Sequence, residues 1–324
     1  MIRNIISIPS VSEFKFLNEN LVVMTDSGIS SLEANTSIQG DFFCVRNYQK
    51  LLLTQSKKED NILVLDNSLK ILKEISGASN YALWLLNSCG LIPVGDRVFR
   101  LTDSLELDET AISIFPKDCI GSYGIRRAKN SVLCDDLVDG QLKWKFELGN
   151  DVKVGGDFIL MSDLIIVSTT NQDLIGIEIN TGKELWRLPN CNLHHQQQPK
   201  TNYLVGLASN SFGDNFYQVI DPISGKKLID KKFDNFFYET RPTLACIKET
   251  HYYFISNVIG DGTGTKSERQ THLGCINLQT HEIEWVEKIG TTLDRRSEYQ
   301  KPEINGSKIY LLDGEQTLHI YEMN

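Results

Sequence analysis

Glycines at positions 140, 182 and 225 each sit in a short polar turn between two apolar segments, 42 and 43 residues apart. The segments read "LVDGQLKW" (137–144), "IEINTGKELW" (177–186) and "IDPISGKKLI" (220–229). A fourth copy, "INLQTHEIEW" (276–285), carries His281 in the place of the glycine. Glycine supplies the positive φ that such turns need, so His281 predicts a turn of different geometry. Trp144 and Trp186 are also 42 residues apart, and Trp285 closes the fourth copy. A unit recurring at this period is the signature of a repeat fold, in which neighbouring copies bury one another's faces.

The rest of the chain keeps the same rhythm. Strand–turn–strand patterns occupy 21–34, 50–66, 91–103, 120–136, 164–179, 203–221, 252–278 and 308–322, and no stretch sustains helical periodicity. A short apolar segment precedes several hairpins, as in "EFKFL" (13–17) and "DFFCV" (41–45), and a further strand follows the turn. Four strands per unit and eight units in 324 residues give about 40 residues each, the spacing of a four-stranded propeller blade. The expected fold is an all-β, eight-bladed β-propeller forming a single domain over 1–324. Seven blades is the alternative, should the short first unit not form a full sheet. The last unit lacks an outer strand and the chain begins with a spare one, "RNIISIP". Pairing those ends would close the fold and cover a sheet edge.

Composition narrows the function. The formal net charge is −9, which repels phosphate backbones and disfavours a nucleic-acid partner. Seven cysteines, at 44, 89, 119, 134, 191, 246 and 275, form no C-x-x-C pair and are odd in number. That is neither a disulfide framework nor a zinc motif, and it fits a reducing compartment. No apolar run reaches the length of a membrane span, and the first residues do not read as a signal peptide. The expectation is a cytoplasmic protein with no membrane partner.

The pattern of strand, turn, strand and N/D-x-T-G-K-x-x-W resembles the repeat of the pyrroloquinoline-quinone-like propeller superfamily. "IEINTGKELW" matches it closely, "LVDGQLKW" well, "IDPISGKKLI" in part, and "INLQTHEIEW" is degenerate. The resemblance implies that Trp144, Trp186 and Trp285, with the turn glycines Gly140, Gly182 and Gly225, dock one blade on the next. Quinone dehydrogenases of that superfamily are longer and carry an adjacent cysteine pair beside the cofactor. No Cys-Cys occurs in this chain, so no cofactor is expected.

Motifs for chemistry are sparse. "GDGTGTKS" (260–267) places Thr265 between Gly264 and Lys266, which breaks the phosphate-loop pattern. The adjacent pair His194 and His195 would point to opposite faces of a strand, so no metal site is assigned there. The long connections are more informative. Segments 189–201, 209–215, 258–271 and 290–301 all fall between the second and third strands of a unit or between consecutive units, on the sixth to eighth units. Antiparallel alternation places those connections at one end of the sheets. Loops gathered on one face are how repeat folds build binding surfaces. The candidate partner-binding residues are His194, His195, Gln197, Asp261, Lys266, Arg269, Asp294, Arg295, Arg296, Glu298 and Tyr299, with the Arg and Tyr side chains ranked first as hot-spot types. The expected function is a non-catalytic protein-binding platform, one form of which is an inhibitor or immunity-type cap on a partner protein. The alternative is a propeller enzyme, either a hydrolase with channel carboxylates or a quinone-type oxidoreductase.

Overall fold

A computed structural model describes residues 2–78, 90–94, 96–112, 116–191, 195–209, 215–233, 238–259, 269–292 and 299–323. The regular elements there are all strands, arranged in eight antiparallel sheets that make up a β-propeller fold. After the N-terminal strand β1 (Ile2–Ile8), the first sheet holds β2 (Val11–Leu17), β3 (Asn20–Thr25), β4 (Gly28–Ser31) and β5 (Thr36–Gln39), all four strands in sequence order. The short first unit is therefore a full sheet, which decides for eight blades over seven. The second sheet is β6 (Phe42–Tyr48), β7 (Leu51–Ser56), β8 (Asn61–Leu65) and β9 (Ile71–Ser76). The third has three strands among the described residues, β10 (Leu91–Val94), β11 (Arg97–Leu101) and β12 (Leu107–Glu109).

The fourth sheet comprises β13 (Asp118–Ile120), β14 (Tyr123–Ala128), β15 (Ser131–Asp136) and β16 (Leu142–Glu147). The fifth comprises β17 (Ile159–Met161), β18 (Leu164–Ser168), β19 (Leu174–Glu178) and β20 (Glu184–Leu188). The sixth comprises β21 (Gln196–Gln197), β22 (Leu204–Ser209), β23 (Asn215–Asp221) and β24 (Lys226–Lys232). The seventh comprises β25 (Tyr238–Lys248), β26 (His251–Ile259), β27 (Arg269–Asn277) and β28 (Glu282–Thr292). The last is built from β29 (Glu303–Asn305), β30 (Lys308–Leu312), β31 (Leu318–Met323) and the N-terminal β1 (Ile2–Ile8). Strand β1 pairs antiparallel with β31 from Ile2 opposite Met323 to Ile8 opposite Leu318, as the spare terminal strand predicts. The chain divides into two compact units, Ser10–Asn150 and a second made of Met1–Pro9 with Asp151–Asn324.

Burial explains the sequence pattern. Middle strands are covered on both faces and read as unbroken apolar runs: β18 is "LIIVS" and fully buried. Outer strands have a wet face and alternate, as in "ELWRL" of β20 and "KKLIDKK" of β24.

The repeated turn is one device used four times. The amide of Gly140 donates to Asp136 O, Gly182 to Glu178 O and Gly225 to Asp221 O, each at 2.9 Å. Their φ values are 72°, 71° and 65°. His281 does not make a different turn, contrary to the expectation. It takes φ 57° and donates to Asn277 O at 2.8 Å. The Asn277 side chain accepts from the Gln279 amide at 2.8 Å, as Asp136 accepts from Val138 and Asp221 from Ile223. Histidine tolerates the left-handed region better than most residues, and the Tyr217 hydroxyl holds its ring through Nδ1 at 3.0 Å.

A second device follows each turn. In five sheets the outermost strand carries one extra residue against its neighbour: Leu72, Lys143, Leu185, Leu228 and Glu284. Such a β-bulge re-aims the side chain it releases. The next residue is Trp144, Trp186 or Trp285 in three of the five. Trp186 is half-buried, and its Nε1 donates to Pro222 O of the following sheet at 2.9 Å. Trp144 is buried, and Trp285 packs in a core cluster with Tyr253, Ile309 and Leu311.

Candidate functional site

The expected partner face is the sheet end from which β22–β23, β26–β27, β20–β21 and β28–β29 are connected. His194, Asp261, Lys266, Asp294, Arg295, Arg296 and Glu298 lie outside the described residues. Arg269 is the first residue of β27, with its backbone opposite Ile259 and Thr292. His195 does not project as a loop residue: it is buried, directly before β21, whose Gln196 side chain donates to Ala245 O of the seventh sheet at 2.5 Å. Gln197 is half-buried and donates to the Asn202 side chain at 3.1 Å. Tyr299 is also half-buried, packed among Ile289, Ile304 and Ile309, with its hydroxyl donating to Ile289 O at 3.4 Å. Its place in the long 290–301 segment predicts an exposed loop residue, whereas the ring joins the core of the last sheets.

At the same end of the last sheet, three polar side chains line up. His319 Nε2 lies 2.7 Å from Asp313 Oδ2, and His319 Nδ1 lies 3.1 Å from Ser7 Oγ. The other Asp313 oxygen accepts the amides of Glu315 and Thr317, both at 2.9 Å, so it caps the β30–β31 turn. Ser7 is exposed and stands opposite His319 on the β1–β31 ladder. The relay ties the N-terminal strand to the last turn.

The opposite end of the seventh sheet holds a different cluster. His251 opens β26, Cys275 lies on β27, and Glu284 is the bulge residue of β28. One ligand-capable atom from each lies within 4.8 Å of the others. Glu284 Oε2 is 3.3 Å from His251 Nε2 and 3.9 Å from Cys275 Sγ. Asn277 Nδ2 donates to Glu284 Oε1 at 2.7 Å, and Thr250 Oγ1 lies 3.3 Å from His251 Nδ1. Burial, with the Glu284 charge beside it, pushes the Cys275 thiol up to about 12. At neutral pH it is a protonated thiol and a poor nucleophile. Sequence reading missed this cluster because its members lie on three strands and the bulge that turns Glu284 is visible only in the register.

No family model matches this chain, and no curated protein matches it. Among solved structures, BamB from Moraxella catarrhalis is 11% identical, with a TM-score of 0.53, covering 100% of this chain and 98% of that one. A computationally designed protein, Ika8, is 12% identical, with a TM-score of 0.59, covering 97% of this chain and 96% of that one. At these identities the likeness is one of fold, and the fold that it shows is the β-propeller.

Proposed function

We propose that the protein is a protein-binding platform whose partner docks on the sheet end formed by the connections of the sixth to eighth sheets. One observation carries this reading: the β22–β23, β26–β27 and β28–β29 connections, with β20–β21 ahead of them, leave consecutive sheets at the same end. The repeated turns at the other end are uniformly short and held by the same hydrogen bond. Elaboration restricted to one end of a repeat fold is the usual form of a binding face. Arg295 and Arg296 are proposed as the anchors, with His194, Asp261, Lys266, Arg269, Asp294 and Glu298 around them. His195, Gln197 and Tyr299 would support the face from within.

The proposal extends to the repeat, which we place in the pyrroloquinoline-quinone-like superfamily. The T-G-K turn and the following Trp, with the likeness in fold to BamB, support that placement. A reducing, cytoplasmic setting is supported by six described cysteines that are free and buried. An inhibitor or immunity-type cap is the specific form proposed.

Affinity capture with the purified protein as bait tests the face. R295A/R296A bait should lose the partner that wild-type bait retains, and K183A/K226A bait, altered on the turns at the opposite end, should keep it. Retention by the first and loss by the second would place the partner at the wrong end.

A further inference from the structure

We propose that His251, Cys275 and Glu284 form a binding site for a divalent transition-metal ion of the zinc class, on the outer part of the seventh sheet. The inference stands apart from the partner-binding reading, which concerns the other end of that sheet.

Three features carry it. The first is spacing. Zinc binds histidine nitrogen and carboxylate oxygen at about 2.0–2.2 Å and thiolate sulfur at about 2.3 Å, so tetrahedral ligands stand about 3.3–3.6 Å apart. The observed separations are 3.3 Å between His251 Nε2 and Glu284 Oε2, and 3.9 Å between that oxygen and Cys275 Sγ. Both are long for a hydrogen bond to a carboxylate, and both are close to the edges of a coordination tetrahedron. The third edge, from His251 to Cys275, lies within 4.8 Å, so binding would draw the His251 ring inward as well as shift the exposed Glu284 side chain.

The second feature is the outer set of contacts. Metal-bound histidines are oriented through their other ring nitrogen, and metal-bound carboxylates through their free oxygen. Thr250 Oγ1 is placed to accept from the Nδ1–H of His251, which leaves the Nε2 lone pair facing Glu284 and Cys275. Asn277 Nδ2 holds Glu284 Oε1 at 2.7 Å and leaves Oε2 for an ion.

The third feature is a comparison inside the chain. The bulge that presents Glu284 recurs in four other sheets, where the released residue is Leu72, Lys143, Leu185 or Leu228. The fourth sheet has a cysteine at the position of Cys275, namely Cys134, opposite Trp144 as Cys275 is opposite Trp285. There the bulge residue is Lys143, paired with Asp136 at 3.2 Å and lying over the Tyr123 ring. Tyr123 opens β14 as His251 opens β26. The scaffold is thus shared, and among the described residues the seventh sheet alone fills it with three metal-ligating types. The His251 and Glu284 side chains are 31% and 39% exposed, so a fourth position is open to water. Binding would release the thiol proton, since the ligand is the thiolate.

Cobalt(II), titrated into chelator-stripped full-length protein, is the probe. The expected result is one equivalent bound, with a thiolate-to-cobalt charge-transfer band in the near ultraviolet and ligand-field bands in the visible. C275S should abolish the charge-transfer band, and H251Q and E284Q should each weaken cobalt binding at least tenfold. C246S, at a buried cysteine of the same core cluster, should bind as wild type does. Zinc(II) should raise the melting temperature of wild type and leave that of H251Q unchanged. His251 and Glu284 reach solvent, so their variants fold and decide the matter even if C275S does not. Absence of a thiolate band, equal binding by H251Q, E284Q and wild type, or loss of binding in H195Q alone would overturn the site.

Discussion

The indole of Trp186 fills the space that a side chain at Gly225 would need. A Cβ built on Gly225 would stand 2.4 Å from Trp186 Cγ, and one on Gly176 would stand 2.3 Å from its Cε2. The ring therefore lies between the sheet that carries it and the turn of the next sheet, fixed by its bond to Pro222 O. Trp186→Ala should cost about 3 kcal/mol, the low end for an aromatic truncation because the ring is half-buried. Gly225→Ala should cost about 2–3 kcal/mol through overpacking and left-handed strain. The double variant should cost less than the sum, because removing the indole makes room for the methyl group. Gly306→Ala, with φ 57° and open space around it, is the control, losing only about 1 kcal/mol. Urea unfolding of the four variants checks this, and strict additivity would remove the ring from between the sheets.

The His281 turn gives a sharper test of local geometry. His281→Gly relieves the left-handed strain but loses the bond to Tyr217, so the net change should stay within about 1 kcal/mol. His281→Val should cost at least about 2 kcal/mol, since a β-branched residue at positive φ is strained and cannot bond Tyr217. Thermal melts of the two variants should separate clearly. Equal melting temperatures would mean that the turn does not need its left-handed residue.

Much of this architecture was legible because it depends on residues close in sequence. Gly140, Gly182 and Gly225 announce a turn by their identity, and an acidic or amide residue before each turn announces its cap. Closure was legible because each terminus carries a strand without a local mate. The turn at His281 was misread because its left-handed residue is held by Tyr217, 64 positions away. Tyr299 reads in the sequence as part of the polar 290–301 loop and as a hot-spot type, while its packing with Ile304 and Ile309 is set by the pairing of β29 with β30. The metal cluster needed a bulge, and a bulge has no sequence signature when its residue is Leu in one sheet and Glu in another.

Removal of residues 1–9 should destabilise the protein in a particular way. Strand β1 is largely exposed, so little apolar surface is lost with it, but its six paired positions along β31 are. At about 0.5–1.5 kcal/mol per hydrogen bond, the loss should be about 3–9 kcal/mol. The urea midpoint should fall while the slope changes little, because slope follows exposed surface. Ser7→Ala should lower the midpoint slightly, through the lost bond to His319. An unchanged midpoint in the truncated protein would contradict the closure.

Acid should weaken the fold through the turn carboxylates. Hydrogen bonds hold Asp66, Asp136 and Asp221 below the usual carboxylate value of 3.8: from Ser68 first at Asp66, the Val138 amide first at Asp136, and Ser224 first at Asp221. Their folded pKa values are depressed, so their stabilisation is complete above the unfolded value and is lost as pH falls through the folded one. Stability should be flat above about pH 5 and fall below about pH 4. D136N/D221N should be less stable at pH 7 and show a shallower acid limb. An acid limb as steep as that of wild type would assign the effect to other carboxylates.

Hydrogen exchange on the protein alone and in complex with its captured partner tests the binding face most directly. The expected result is protection in segments 189–201, 258–271 and 290–301, with the turns at 137–141, 179–183 and 222–226 exchanging as in the free protein. Protection of those turns, with the three long connections unchanged, would contradict the assignment of the face.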